Sequence, residues 1–401
     1  MKVAEHFHLT YCSNIHAGET WPEVRDALAL TLPRVRTELG FEGPLAVGLR
    51  LSAQAAAELD EPDALDAFLA FLDYGNYYVL TINGFPYGAF HGQRVKERVY
   101  LPDWRHPARE EYSNRLAGLL ARLLERRPDI EGSVSSVPGA FREAVAGAAD
   151  AEAVAAGILR HAAFLVDLRA RTGRTIRLAL EPEPACYLET IDDVVPFFEH
   201  RLFDRGAVSR AAGDTGIDIS VDDVRRHVGI CLDACHMAVE FERPAEILRR
   251  LSAAGIRICK VQLSSALRVA SRPGTDVGAM LRPFADDTYL HQVVQRDSTG
   301  RLLRYTDLPD ALAAAAVDVS HADREWRVHF HVPIFLSSMN GFDTTQPDLV
   351  TLLQLLRAGD VCTSLEVETY TWDVLPAEYR NQDVSTAIAR ELNWVRTTLG
   401  A

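Results

Sequence analysis

Short apolar runs alternate with amphipathic segments along most of the chain. The continuous apolar character of each run is typical of a strand in a parallel sheet that is covered by helices on its faces. The runs that we predict as strands are 3–15, 44–51, 76–84, 132–137, 176–182, 228–234, 256–264, 326–336 and 361–370. The segments that we predict as helices are 21–39, 62–72, 109–126, 151–171, 191–203, 244–254, 346–358 and 384–399.

This alternation predicts an α/β fold of repeated βαβ units, and an eight-stranded (β/α)8 TIM barrel accounts for it better than a doubly wound sheet. Nine runs for eight places leave one outside the barrel, and we assign 326–336 there because it follows the irregular stretch 266–325. Residues 290–305 place two β-rich runs around Asp-Ser-Thr-Gly, which predicts a hairpin. We expect a single domain, 1–401, in which 266–325 is inserted at the mouth of the barrel as a lid or specificity loop.

Composition and charge narrow the class of protein. The 401 residues are 48% hydrophobic, as expected for a full core, and the net charge of −14 disfavours a nucleic-acid or anionic-membrane partner. No run approaches the roughly 20 apolar residues of a membrane span, and the first residues are too polar for a signal peptide, so we expect a cytoplasmic protein. The six cysteines include no C-x-x-C pair and predict reduced, buried thiols; a zinc site at Cys235 and His236 is the alternative.

Four of the predicted strands end in a side chain that can bind a metal. These side chains are Glu181, Asp233, Gln262 and Glu368. The C-terminal ends of the strands in a parallel barrel converge on one mouth, where the active site lies. Oxygen ligands from four strands predict a site for a hard divalent cation, which could be Mn, Mg, Co or Zn. Gln262 could instead be a hydrogen-bonded amide of the core.

Two pairs of glutamates lie at strand ends. Glu181 and Glu183 in LALEPEP share a strand face, and the prolines after each end the strand there. We predict a ligand or acid–base role for at least one of them, with a solvated acidic loop as the alternative. Glu366 and Glu368 in LEVETY also share a face. Glu368 is the better ligand because it lies nearer the strand end, and Glu366 could orient a partner; the alternative for this pair is a structural ion pair.

Histidines near the same strand ends are candidates for contacting substrate. His236 follows Asp233 by three residues, although Asp233 could instead cap a helix and leave His236 at the surface. His329 and His331 point to one face of a run, where they could hold a metal or a substrate hydroxyl, or simply be hydrogen-bonded in the core. His291, at the start of the predicted hairpin, could reach a ligand from above or be solvated.

Segments from the N-terminal quarter of the chain add amides and aromatic rings to the predicted mouth. The first strand run is followed by His16, and the loop TINGFPYGAFHG carries Asn83, Tyr87 and His91. Such residues suit the recognition of a small polar ligand, although aromatic residues in loops often serve only packing.

The motifs LALEPEP, ICLDACHMAVE, CKVQLSS and LEVETY, in this order, resemble the xylose-isomerase-like TIM barrel superfamily of the sugar phosphate isomerase/epimerase type. This resemblance implies that Glu181, Asp233, Gln262 and Glu368 bind the metal and that His236 lies beside the substrate. Over nearly the whole chain, HLTYCSNIHAGETW, TINGFPYGAFHG, HFHVP and LEVETYTWDVLP most resemble the EboE metabolite traffic protein family. That resemblance implies a role around a secondary metabolite, with other proteins of a metabolite operon as partners.

Our first hypothesis is a divalent-metal-dependent isomerase or epimerase that acts on a sugar-like or cyclitol-like hydroxy-ketone through a metal-stabilised enediolate, with Glu181 and Glu368 exchanging the proton. The alternative is a non-catalytic metabolite-binding or handover protein on the same metal-binding barrel. Phosphodiester cleavage, known among metal-dependent apurinic endonucleases of the superfamily, is disfavoured by the acidic charge and the small number of histidines.

Overall fold

The structure is a computed structural model, and it describes residues 1–89, 95–271, 276–285, 288–317, 324–339, 341–359, 361–371 and 383–400. The strands are β1 Lys2–Val3, β2 Phe7–Tyr11, β3 Leu45–Arg50, β4 Tyr77–Asn83, β5 Gly132–Ser136, β6 Ile176–Leu180, β7 Val228–Asp233, β8 Arg257–Leu263, β9 Leu267–Ala270, β10 Val293–Arg296, β11 Leu302–Tyr305, β12 Glu325–Val328, β13 Ser338–Met339, β14 Phe342–Thr344 and β15 Ser364–Val367. The helices are α1 Trp21–Leu39, α2 Ala53–Leu59, α3 Pro62–Tyr74, α4 Pro107–Leu123, α5 Ala148–Thr172, α6 Ile191–Phe197, α7 Arg205–Thr215, α8 Val221–His227, α9 Ala234–Val239, α10 Pro244–Ala254, α11 Val277–Leu281, α12 Leu308–Val317, α13 Gln346–Ala358 and α14 Val384–Thr398.

Eight parallel strands form the predicted barrel. Their order is β2-β15-β8-β7-β6-β5-β4-β3, and the short β1 pairs antiparallel with β2. A parallel bridge between Cys12 and Gly48 brings the two ends of this sheet together, so the barrel is nearly closed. The apolar faces of the strands and of the surrounding helices pack into one continuous core. The prediction of an α/β (β/α)8 barrel is therefore confirmed.

A second sheet is inserted between β8 and α13. It has six antiparallel strands in the order β11-β10-β12-β9-β14-β13 and its own apolar cluster, which includes Phe284, Trp326 and Phe330. The hairpin predicted over 290–305 is present as β10 and β11, and the run predicted to lie outside the barrel contributes β12 to this sheet. The inserted sheet continues to Thr344, so it takes in more of the chain than the predicted 266–325.

All eight predicted helices are present, and the structure adds several short ones. The helix α9 shows why such helices are hard to predict. It begins directly after β7, and Asp233 serves both as the last residue of the strand and as the N-cap of the helix. The apolar run therefore passes from strand to helix without an intervening polar segment. Among the described helices, none is both long enough and apolar enough to cross a membrane.

Candidate metal centre

Three carboxylates from three barrel strands meet at the C-terminal mouth. Glu181 directly follows β6, Asp233 ends β7 and Glu368 directly follows β15. One oxygen of each lies within 4.8 Å of the others, and all three side chains are buried. The barrel thus brings together three of the four side chains that the sequence singled out as metal ligands, from positions as far apart as 181 and 368.

No lysine or arginine of the described residues forms an ion pair with these three carboxylates, although Lys260 lies near enough to lower the pKa of Glu181 and Glu368 in part. Within the described residues, Glu181 Oε2 and Asp233 Oδ2 are buried and have no hydrogen-bond partner. Burial raises the pKa of Glu181 well above its usual value, and the neighbouring Glu368 and Asp233 raise it further. Burial and Asp233 likewise raise the pKa of Glu368. Buried carboxylates of this kind require protons or a cation, and oxygen donors from three sides fit a hard divalent ion.

Glu368 is held in place by amides. Its Oε1 accepts hydrogen bonds from Asn14 Nδ2 at 2.7 Å and from Asn83 Nδ2 at 3.0 Å, and its Oε2 accepts from Gln262 Nε2. The oxygen of Gln262 faces Cys231 Sγ at 2.6 Å. Gln262 therefore lies against the carboxylate cluster, but as placed its amide orients Glu368. Asn83 lies at the centre of the site and not on its outer wall.

Glu366 belongs to a different layer of the barrel interior. It lies two residues before Glu368 on the same strand face and forms a fully buried ion pair with Lys260 Nζ of β8. Lys260 also donates to Ser135 Oγ at 3.2 Å. We considered a structural ion pair as the alternative for both Glu366 and Glu368. Among the described residues, the structure shows one for Glu366 and none for Glu368. Sequence analysis did not single out Lys260, which lies inside an apolar run.

Gly48 makes room for this ion pair. A Cβ atom at this position would overlap Glu366 Oε1 and would also come within 2.8 Å of the Tyr11 carbonyl oxygen. Only glycine allows β3 to approach the glutamate this closely.

A group of three imidazoles adjoins the carboxylates. His236 lies in the first turn of α9, and its Nε2 is 3.1 Å from His329 Nε2, which in turn is 3.2 Å from His331 Nε2. Asp233 does cap α9, since its Oδ1 accepts from the backbone N–H of His236 at 3.0 Å, but His236 is buried and not at the surface. Burial lowers the pKa of His331 to about 4 and that of His329 well below its usual value.

Glu183 faces the histidines, and two residues that the sequence did not indicate hold it there. Its Oε1 accepts from Tyr100 Oη at 2.8 Å and from Gln292 Nε2 at 3.1 Å, and lies 3.7 Å from His329 Nδ1. Tyr100 precedes α4 and Gln292 precedes β10, so their meeting depends on how the inserted sheet packs on the barrel. No local pattern could have identified them.

The remaining predicted site residues lie farther out. His291 is buried behind His329, and its Nδ1 is 3.0 Å from the His329 carbonyl oxygen, so it is not a solvated residue above the site. His16 Nε2 lies 3.2 Å from Tyr11 Oη. The ring of Tyr87 packs edge-on against Tyr112. None of these three is among the described residues that line the cavity, and His91 lies outside the described part of the chain.

The cavity over the site has a polar floor and a largely apolar wall. Carboxylates, amides and histidines form the floor. The wall residues are aromatic or aliphatic: Phe85, Pro86, Val95, Val99, Tyr289, Leu290 and Tyr370. Lys96 also lines the cavity, and its Nζ forms an ion pair of 2.6 Å with Asp307. The inserted segment supplies Tyr289 and Leu290, so it shapes the entrance to the site.

Comparison with solved structures shows the same architecture. The chain is similar to a xylose isomerase-like TIM barrel protein from Mycobacterium smegmatis in complex with magnesium, with a TM-score of 0.51, 13% identity, and coverage of 100% of this chain and 98% of that one. A xylose isomerase domain protein from Alicyclobacillus acidocaldarius gives 0.46 at 15% identity, covering 98% of this chain and 100% of that one. The IOLI protein with a bound zinc atom gives 0.44 at 12% identity, covering 98% and 97%.

At such identities the likeness shows the fold alone, which is that of the xylose isomerase-like TIM barrels. No protein-family model matches the chain, and no curated protein matches it. The resemblance to the EboE metabolite traffic family therefore stays a prediction.

Proposed function

We propose that the protein is a divalent-metal-dependent isomerase or epimerase that acts on a small sugar-like or cyclitol-like hydroxy-ketone. The observation that supports this most directly is the buried cluster of Glu181, Asp233 and Glu368, with two carboxylate oxygens that have no partner among the described residues. These three side chains would hold the cation, and Gln262 would keep Glu368 oriented. A cation bound there supplies Lewis-acid stabilisation for the charge that develops on substrate oxygens when a proton leaves the adjacent carbon.

The carboxylates also provide groups that can move a proton. Glu181 and Glu368 approach the site from different strands, β6 and β15, which are not neighbours in the barrel. Both side chains line the cavity, so either can reach a substrate bound there. One would accept the proton from the substrate carbon and the other would return it. His236 would hold a substrate hydroxyl.

A non-catalytic role is the second candidate, and the apolar wall of the cavity favours it. Phe85, Val95, Val99 and Leu290 offer no hydrogen bonds from their side chains, whereas a free sugar is hydroxylated around its ring. A protein that binds and hands over a metabolite with a hydrocarbon portion would use such a wall. Under this proposal the other proteins of a metabolite operon would be its partners, and the chain would work in the cytoplasm.

Proton exchange with solvent distinguishes the two candidates. The metal-free protein would be reloaded separately with Mg, Mn, Co or Zn and incubated in heavy water with a panel of ketoses and keto-cyclitols. The isomerase proposal expects deuterium at the carbon next to the carbonyl, detected by NMR, and at least a 100-fold loss of exchange in Glu368→Gln, in line with typical contributions of acid–base groups.

Glu391→Gln is the matched control, because Glu391 is also buried but, among the described residues, its carboxylate accepts only from Thr369 Oγ1 at 2.7 Å and from the Ile334 amide at 3.2 Å. It should keep full exchange. Tight binding of a panel compound without any exchange, unchanged in Glu368→Gln, would instead favour the handover protein.

A further inference from the structure

The three histidines beside the carboxylates meet in an unusual way, through their Nε2 atoms. His329 Nε2 lies 3.1 Å from His236 Nε2 and 3.2 Å from His331 Nε2, and none of the three side chains is more than 6% exposed. A neutral imidazole carries one N–H and one lone pair. Whether these contacts are hydrogen bonds depends on which nitrogen of each ring carries the hydrogen.

Backbone carbonyl groups settle this for two of the rings. His236 Nδ1 is 3.0 Å from the Pro182 oxygen, and His331 Nδ1 is 2.8 Å from the Glu368 carbonyl oxygen. Since a carbonyl oxygen can only accept, each Nδ1 must carry the hydrogen. In a neutral ring, the Nε2 atom of each of these two histidines therefore carries a lone pair and no hydrogen.

An amide settles it for the third ring. His329 Nδ1 is 2.6 Å from Gln292 Oε1. The orientation of that amide follows from its other end, because Gln292 Nε2 lies 3.0 Å from the Pro184 carbonyl oxygen, which needs a donor. The oxygen of Gln292 consequently faces His329, and Nδ1 of His329 donates to it. His329 Nε2 then also carries a lone pair, and it lies within 3.2 Å of the other two Nε2 atoms.

Buried lone pairs that face one another repel unless a proton or a metal cation lies between them. We propose that His236, His329 and His331 bind a second divalent cation of the zinc class, next to the carboxylate site. Tetrahedral zinc with Zn–N distances of about 2.0–2.1 Å separates its ligands by about 3.3 Å, close to the 3.1 and 3.2 Å between these nitrogens. Donation of the other ring nitrogen to a carbonyl group is also how metal-bound histidines are usually oriented.

Asp233 connects the two sites. An oxygen of Asp233 lies within 4.8 Å of carboxylate oxygens of Glu181 and Glu368 and within 4.8 Å of ring nitrogens of His236 and His331, and its Oδ2 has no partner among the described residues. It can therefore contribute to both cations. The three histidines leave a fourth coordination position, which either Asp233 or, because all three line the cavity, a substrate oxygen would fill. A single-cation isomerase needs only the carboxylate site, so this inference goes beyond the proposed function.

Zinc stoichiometry tests the proposal. The full-length protein would be stripped with a chelator and dialysed against buffered Zn²⁺, and bound metal would be measured by mass spectrometry. We expect two equivalents in the native protein and one in His329→Asn, because asparagine keeps the donor near Nδ1 but removes Nε2. The matched control is His161→Asn, since His161 is equally buried but pairs with Asn114 at 2.6 Å away from the site. It should keep two equivalents.

Further variants separate this proposal from the proposed function. His331→Asn should also retain one equivalent, and it serves if His329→Asn does not fold as judged by circular dichroism. Glu181→Gln should lose only the carboxylate-bound ion. One equivalent in the native protein that survives both histidine variants would overturn the second site. One equivalent that disappears in the histidine variants but survives Glu181→Gln would overturn the carboxylate site and leave the histidine site standing.

Discussion

Glu366 and Glu368 lie two residues apart on one face of the same stretch of chain, yet their side chains have different partners. Both are buried in the barrel. Glu366 meets the ammonium of Lys260 on the neighbouring strand, so its charge is balanced by the chain itself. Glu368 meets three amides and two further carboxylates, Glu181 and Asp233, and no lysine or arginine among the described residues pairs with it.

This difference distinguishes a buried carboxylate with a structural role from one that is a candidate metal ligand. Burial costs a carboxylate several kcal/mol of hydration, and a cation must offset this. In the Glu366 layer that cation is covalently part of the protein, so the layer is structural. Although burial alone would lower the pKa of Lys260, Glu366 raises it, so the ammonium stays charged. In the layer above, no lysine or arginine of the described residues pairs with the carboxylates, and under the proposed function a metal ion from solution supplies the positive charge.

The largest effect is expected from breaking the lower layer. Lys260→Met removes the only ammonium that pairs with Glu366 in the described structure and leaves a buried charge unpaired, so we expect a loss of about 3–5 kcal/mol in the free energy of unfolding. Urea denaturation measures it. The double variant Lys260→Met, Glu366→Gln should recover most of the loss because the charge is then gone. A single variant within about 1 kcal/mol of the native protein would show that Glu366 is not a charged partner.

A third buried glutamate, Glu391, sharpens the comparison, because no lysine or arginine in the described part of the chain pairs with it. Burial raises the pKa of Glu391 from 4.5 to about 7, opposed by hydrogen bonds with Thr369 and the Ile334 amide. A folded-state pKa above the unfolded value means that the stability from the protonated form is fully present below pH 4.5 and is lost as the pH rises through 7.

The native protein should therefore lose on the order of 3 kcal/mol between pH 5 and pH 8 relative to Glu391→Gln, whose amide does not titrate. Unfolding midpoints of the two proteins, measured over this range, give the difference. If the unfolding midpoints of the two proteins changed in parallel with pH, the raised pKa of Glu391 would be contradicted.

The smallest of the three effects concerns the space that the lower layer needs. Gly48→Ala would place a methyl group against Glu366 Oε1, and we expect a loss of about 1–3 kcal/mol from overpacking. Gly213→Ala is the control, because Gly213 lies within α7 on its exposed side, with open space around it. This substitution should raise the free energy of unfolding by roughly 0.5–1 kcal/mol. Thermal unfolding measures both. Equal effects at the two positions would mean that the approach of β3 to Glu366 is not constrained.

Local pattern was enough to predict the frame of the molecule. The eight barrel strands and the eight main helices follow from apolar periodicity, and α1, α10 and α13 begin and end at the predicted residues, whereas β9, β13 and β14 of the inserted sheet were not predicted. The carboxylates at the strand ends were predictable for the same reason, since parallel strands of a barrel necessarily bring their C-terminal ends together.

The partners of those carboxylates depended on the tertiary structure. The register of β8 with its neighbours places Gln262 opposite Glu366 of β15 and Asp233 of β7. Lys260, two residues earlier on β8, therefore lies one layer deeper in the barrel. Nothing in the sequence of any one of these strands specifies this register. The packing of the inserted sheet likewise brings Gln292 to His329. Apolar periodicity is a property of neighbouring residues and can be seen in the chain. The ion pair of Lys260 with Glu366 joins residues more than a hundred positions apart, so it can be seen only in the folded barrel.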